Sequence, residues 1–239
     1  MRIDIITLFP NMFSGFTHES IIKRAIENGY VEVNIVNLRD YTLDKHLKVD
    51  DTPYGGGNGM VLACQPVFDC IKALRSDDSL VIMMTPQGQV YNQQMANSLA
   101  KKNHLILLCG HYEGFDERIR SIVDMEVSIG DFVMTGGELA SMVISDSIIR
   151  LLDGVIANDS HEFDSHQNWL LEHPHYTKPR EYEGMAVPDV LLNGNHKEIE
   201  NWRLKESLRR TLERRPDLLE KRELSANEIK ILKEIKEEK

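Results

Sequence analysis

The chain has 239 residues, 41% hydrophobic and 28% charged, enough to bury one large core or two smaller ones. Its formal net charge of −10 excludes a protein that coats DNA or RNA by charge alone, since that mode needs a broad basic surface. No apolar run reaches the ~18 residues of a membrane helix, and MRIDIITLFP enters strand-like alternation without a secretion signal. Cys64, Cys70 and Cys109 form no CxxC pair, so a cytosolic protein without disulfides or a zinc site is expected.

Taken in chain order, strand patterns fall at residues 2–8, 31–38, 80–85, 104–109 and around 125–129. Helical patterns separate several of them, at 11–28 (stopped by Gly29), 65–75 and 92–102. This alternation predicts an α/β fold with βαβ units and a parallel sheet. LVIMMT and LILLCG lack polar alternation, as expected of central strands covered on both faces. A further helix is expected after TGGELA, where Thr135 and Glu138 have the spacing of a capping box.

At residues 157–169, ANDSHEFDSHQNW has no period and predicts a linker. Two domains follow from this break: a first domain at 1–157, a linker at 158–172 and a small C-terminal helical domain at 173–239. The latter holds HKEIENWRLKESLRRTLERRP, closed by Pro216, and SANEIKILKEIKEEK, opened by a Ser225/Glu228 capping box. From His161 onward 15 Lys+Arg stand against 17 Asp+Glu, leaving 13 against 21 for the rest.

Three glycine-bearing loops follow apolar strands: TPQG (85–88), CGHYEG (109–114) and SIGDFVMTGGE (128–138). In an open parallel sheet ligands sit beyond the carboxyl ends of the strands, where glycine lets backbone groups approach closely. Together the loops point to one pocket, because Tyr112, Glu113, Asp116 and Asp131 are costly to crowd near a sheet without a purpose. Neither a P-loop nor a GxGxxG fingerprint is present. Gly55, Gly56, Gly57 and Gly59 in DDTPYGGGNGM suit a loop closing over a flat or anionic partner, or a plain turn. His161, His166, His173 and His175 lack cysteine partners and i, i+4 spacing, so polar contacts rather than a metal are expected of them. Leu204, Leu208 and Leu212 make a core stripe on one helix face. Arg203, Arg210 and Arg214 fall on the opposite face, either solvated or positioned for phosphates.

LFPNMF, VDDTPYGGGNGM, TPQG, CGHYEGFDERI, SIGDFVMTGGELA, HPHYTKPREYEG and WRLKESLRRTLERRPDLL, in this order, resemble the bacterial tRNA (guanine-N1-)-methyltransferase family of the SPOUT class over nearly the whole chain. The resemblance implies a deep trefoil knot in the first domain, an obligate homodimer, S-adenosylmethionine as donor, and methylation of the guanosine immediately 3′ to the tRNA anticodon. It places Pro86, Gly110, Tyr112, Gly114, Ile129, Gly130, Asp131, Phe132, Val133, Met134, Gly136 and Gly137 around the donor, with Glu113 near its methionine moiety. With tRNA as the substrate that the resemblance implies, Gly55, Gly56, Gly57, Gly59, Arg203, Arg210 and Arg214 are the candidate substrate contacts.

Guanine N1 carries a proton at neutral pH, so the reaction needs a general base and a cation for the charge growing on O6. The resemblance puts Asp164 in the first role and Arg150 in the second. Two DSH copies leave Asp159 as the alternative base, and His166 and Asn168 stand where the family commonly has phenylalanine and aspartate. Before PQG the chain has Met83, Met84 and Thr85 in place of the usual Tyr-Leu-Ser. A Mg2+ dependence is not legible in the sequence. The alternatives are another SPOUT methyltransferase of RNA, or a module that binds RNA or a nucleotide without chemistry.

Overall fold

The computed structural model describes residues 1–156 and 164–238. The chain divides into two compact units, residues 1–158 and 159–239. Asp159 and His161 lie outside the described residues.

Unit 1 holds β1 (Arg2–Thr7), α1 (Ser14–His18), α2 (Ser20–Glu27), β2 (Glu32–Asn37), β3 (Asp50–Asp51), β4 (Val61–Leu62), α3 (Cys64–Leu74), β5 (Ser79–Val90), α4 (Gln93–Leu99), β6 (His104–Leu108), β7 (Met125–Ser128) and α5 (Glu138–Ile149). Five strands form one sheet in the order β2-β1-β6-β5-β7, and every neighbouring pair is parallel. β3 and β4 form a separate antiparallel pair.

Alternate side chains of the central strands enter opposite layers. Ile3, Ile5, Leu105 and Leu107 pack in one core with α2, α4 and α5, while Ile6, Ile106 and Leu108 pack in the other with α3. Both faces are therefore covered, which is why LILLCG shows no polar alternation. At the opposite end of the strands from the glycine loops, Asp4 is fully buried. It accepts hydrogen bonds from Asn34 Nδ2 (2.9 Å) and Arg2 Nε (3.0 Å), and pairs with His104 Nε2 (2.8 Å). His104 Nδ1 lies 2.7 Å from Ser79 Oγ, so a polar chain crosses four strands.

The structure departs from the sequence pattern in three places. The helix expected over 11–28 is a 3-10 turn (Pro10–Phe13) followed by α1 and α2, broken where Glu19 is extended and Ser20 left-handed (φ +54°). The third strand runs on from Thr85 to Val90 as β5, with its register against β7 shifted between Met84 and Gln89. The Thr135/Glu138 capping box does not form: Gly137 is the N-cap and no side chain caps the helix. Glu138 is only 1% exposed, because its carboxylate is used inside the unit.

Unit 2 holds β8 (Glu181–Tyr182), β9 (Met185–Ala186), α6 (His196–Arg214), α7 (Pro216–Leu219) and α8 (Ala226–Glu237). Its core joins Leu170, Leu208, Ile231, Leu232 and Ile235, with Leu204 and Leu212 packed against them. The Ser225/Glu228 capping box forms at the start of α8.

Candidate active site

At the carboxyl ends of β6 and β7, and beside the TPQG stretch (85–88) that lies within β5 rather than after it, the three glycine-bearing segments enclose a cleft of about 330 Å³. Its wall includes Pro86, Gly110, Tyr112, Glu113, Gly114, Ile129, Gly130, Phe132, Val133, Met134, Gly136 and Gly137. Asp131 is exposed and does not line it.

The loops are fitted to one another through their main chains. Gly137 N–H donates to Gly110 C=O at 2.9 Å, and a Cβ on Gly137 would lie 2.8 Å from Cys109 Cα and Gly110 N. A Cβ on Gly88 would lie 2.4 Å from Val127 N, within the pairing of β5 with β7. Only glycine permits these approaches, because the obstructing atoms are backbone and cannot rotate aside. The Gly59 Cβ position is occupied by the Glu113 side chain, and Glu113 N–H donates to Met60 C=O (3.0 Å), so the glycine-rich 55–59 loop abuts the cleft at one point. Gly55, Gly56 and Gly57 all have positive φ, and a Cβ on Gly55 or Gly56 would meet no atom of the described residues within 4 Å.

Beneath the cleft lies a polar cluster that sequence reasoning missed. Thr7 Oγ1 donates to Glu138 Oε1 at 2.6 Å, and His111 Nε2 pairs with Glu138 Oε2 at 2.7 Å. Thr7 Oγ1 in turn accepts from Phe9 N–H (2.9 Å). One buried carboxylate thus ties together the ends of β1 and β6 and the first turn of α5. The next residue, Tyr112, adopts a left-handed φ of +60°, a strained conformation for a bulky side chain of the kind that concentrates at functional loops.

The charges around the cleft are distinct in kind. Arg120 is ion-paired with Glu126, bonds Glu117 Oε2 (2.9 Å) and Gln87 Oε1 (3.0 Å), and has its pKa raised chiefly by the Glu126 hydrogen bond. It is a fixed strut. Asp116 is held well below the usual carboxylate range by the Arg118 side chain. Burial pushes the Cys109 thiol far up, so it is no nucleophile at neutral pH. Main-chain donors and acceptors, apolar walls and the Glu113 carboxylate together suit a flat nitrogenous ring carrying a cationic group.

Arg150 is the C-cap of α5, in unit 1, and its N–H donates to Asp146 C=O (3.1 Å). Asp164 belongs to unit 2, where its C=O accepts from Gln167 N–H (3.2 Å). On α6, Arg203 and Arg214 are exposed, while Arg210 donates to the Glu172 carbonyl at 3.4 Å.

The chain matches the family described as tRNA (Guanine-1)-methyltransferase TrmD over residues 1–221. It is 58% identical over 244 aligned positions to the tRNA (guanine-N(1)-)-methyltransferase of Bacillus cereus (strain AH820), covering 100% of both chains. The same identity and coverage hold for the proteins of that name from Bacillus anthracis (strain A0248) and Bacillus thuringiensis subsp. konkukian (strain 97-27).

Proposed function

Since the chain belongs to the tRNA (guanine-1)-methyltransferase family, we propose that it transfers a methyl group to N1 of the guanosine immediately 3′ to the anticodon of tRNA, with S-adenosylmethionine as donor. The single observation that carries the reading is the cleft built from backbone-fitted glycine segments at the carboxyl ends of β6 and β7 and beside residues 85–88 of β5. The donor, when bound, supplies an electrophilic methyl on its sulfonium. Gly110, Tyr112, Gly114 and the 129–137 segment hold it through main-chain groups and apolar contact, and Glu113 meets its cationic end. The mutual approach of Gly137 with Cys109–Gly110, and of Gly88 with Val127, supports a trefoil knot around this cleft.

Asp164 takes the proton from guanine N1, and Arg150 meets the negative charge that grows on O6. A guanidinium suits that role because it stays charged when desolvated. The target base leaves its stack to expose the N1 edge. Unit 2 supplies the tRNA-binding surface through Arg203 and Arg214 on α6. A homodimer is supported by an exposed apolar face at unit 1: Leu139 and Val143 are one helical turn apart on α5, and Phe9 and Met12 are exposed on the segment packed beside that helix.

The test is transfer of labelled methyl to a tRNA transcript with G 3′ to the anticodon, by wild type, Asp164→Asn and Asp159→Asn in parallel. Wild type is expected to modify N1 of that base, and Asp164→Asn to bind donor normally while transfer falls by at least about 100-fold, the usual scale of a lost general base. A wild type that leaves this guanosine untouched overturns the substrate. Loss in Asp159→Asn instead moves the base to that position.

A further inference from the structure

We propose that a cluster of four aromatic rings in unit 2, His173, His175, Tyr176 and Trp202, is a stacking platform for one unpaired base of the bound tRNA. The proposal rests on the reading of tRNA as substrate and adds to it a site made of rings rather than charge.

The rings come from two segments. The His173 and His175 centroids are 4.5 Å apart, and Trp202 of α6 lies 6.4 Å from both His173 and Tyr176. None of the four is among the residues of the leucine and isoleucine core of unit 2. A ring cluster that served only to close a small core would be covered, yet Tyr176 is 49% exposed and His175 is exposed as well. The cluster is also braced. His175 Nε2 pairs with Glu172 Oε1 at 2.7 Å, the Glu172 carbonyl accepts from Arg210, and Pro174 separates the two histidines. Burial holds the His173 imidazole below its ordinary pKa, so that ring is neutral at pH 7.

The charges beside the rings fit a nucleic acid. Arg203 follows Trp202 directly, and its positive charge adds to burial in disfavouring a charged His173. Lys178 and Arg180 follow Tyr176 and are exposed. An exposed ring supported by other rings and flanked by cations is how proteins hold unstacked bases: the ring takes the base face and the cations take the phosphates. The chain as a whole is acidic, and Glu172 and Glu181 stand near the rings as well, so Arg203, Lys178 and Arg180 are the local cations that would meet an RNA backbone here.

The experiment measures binding of a fluorescently labelled tRNA transcript to the full chain over a range of KCl concentrations. It compares wild type, Tyr176→Ala, Tyr176→Phe and Arg203→Ala, with donor affinity and Tm as controls. Tyr176→Ala is expected to bind about tenfold more weakly at every salt concentration, because a stacked base is a nonionic contact. Tyr176→Phe keeps the ring and is expected to bind like wild type. Arg203→Ala is expected to flatten the dependence of log K on log salt by about one unit. The platform is overturned if Tyr176→Ala binds as tightly as wild type, or if Tyr176→Phe is as weak as Tyr176→Ala. A wild type that binds tRNA but transfers no methyl overturns the proposed function instead, and the platform is then judged by the binding series alone.

Discussion

The two units place their polar groups in opposite ways. In unit 1 the cleft is shaped by main chain against main chain, at Gly137 on Gly110 and at Gly88 on Val127, with a buried carboxylate locking the loops from below. In unit 2 the polar and aromatic groups are side chains projecting from α6 and from the segment before β8. A site made of backbone has no slack, so one added carbon is felt at once. A surface made of side chains loses affinity one contact at a time.

The sharpest way to break this contrast is Gly137→Ala. Its methyl group would sit 2.8 Å from Cys109 Cα, and Gly88→Ala places its own 2.4 Å from Val127 N. Since neither neighbour can turn away, the loops must separate, at a cost of roughly 3 kcal/mol or more. Donor binding, followed by calorimetry, is expected to vanish in Gly137→Ala. Gly15→Ala is the control: outside its own helix no atom of the described residues lies within 4 Å of its Cβ position and it sits within α1, so the change is expected to be neutral or slightly stabilising. Unaltered donor affinity in Gly137→Ala would show that the loops have room to spare.

Glu138→Ala comes next. It leaves the Thr7 hydroxyl and the His111 ring without their carboxylate, and unsatisfied buried groups of this kind cost roughly 1–3 kcal/mol. Because the carboxylate joins the wall of the cleft to β1, donor affinity is expected to fall together with Tm. Glu138→Gln, which keeps one hydrogen-bond acceptor, should recover part of both. If Tm falls while donor affinity is unchanged, the cluster supports the fold and not the cleft.

These two sites also mark what was legible in the sequence and what was not. The glycine segments were legible because a positive φ or a close backbone approach leaves its mark in residue type, and the place of two of them beyond β6 and β7 follows from the period of the pattern. Glu138 was misread. T-x-x-E is the same set of letters whether the acid turns back to cap its helix or turns inward to meet Thr7, 131 residues earlier, and His111. Nothing local distinguishes the two. The break at Ser20 and the run of β5 past Thr85 were hidden for a similar reason: both are set by neighbouring elements, β7 in the case of β5. The aromatic cluster of unit 2 is half visible in the sequence, since HPHY sets its histidines and tyrosine together, but Trp202 reaches it only through the packing of α6.

The Asp4–His104 pair extends the comparison to the far end of the sheet. His104 is 6% exposed and bridges Asp4 and Ser79, so His104→Ala leaves a fully buried carboxylate with fewer partners. A loss of roughly 2 kcal/mol in urea unfolding is expected, with donor affinity untouched because the cleft lies at the other end of the strands. A change in donor affinity would mean that strain travels the length of the sheet.

The smallest expected effect belongs to unit 2, at Glu228. Burial alone would raise the pKa of this carboxyl, but the Ser225 amide and hydroxyl and the Arg222 guanidinium outweigh it and hold the value below the ordinary one. Arg222 Nη2 lies 2.7 Å from Oε1, and Ser225 N–H donates to Oε2 at 2.8 Å. A carboxylate with a depressed folded pKa stabilises the fold above its unfolded value, near 4.3, and that contribution is lost as pH falls through the lower folded value. Glu228→Gln retains the shape of the capping box and removes only the charge. It is expected to cost about 1 kcal/mol at pH 7, the upper end of the usual scale for an anion at a helix N-terminus, and progressively less below about pH 4.3. Both tryptophans of the chain, Trp169 and Trp202, lie in unit 2, so their fluorescence during unfolding reports on this unit alone. A difference between wild type and Glu228→Gln that stays constant from pH 7 into the acid range would assign the loss to packing, and unit 2 would then share the intolerance of unit 1.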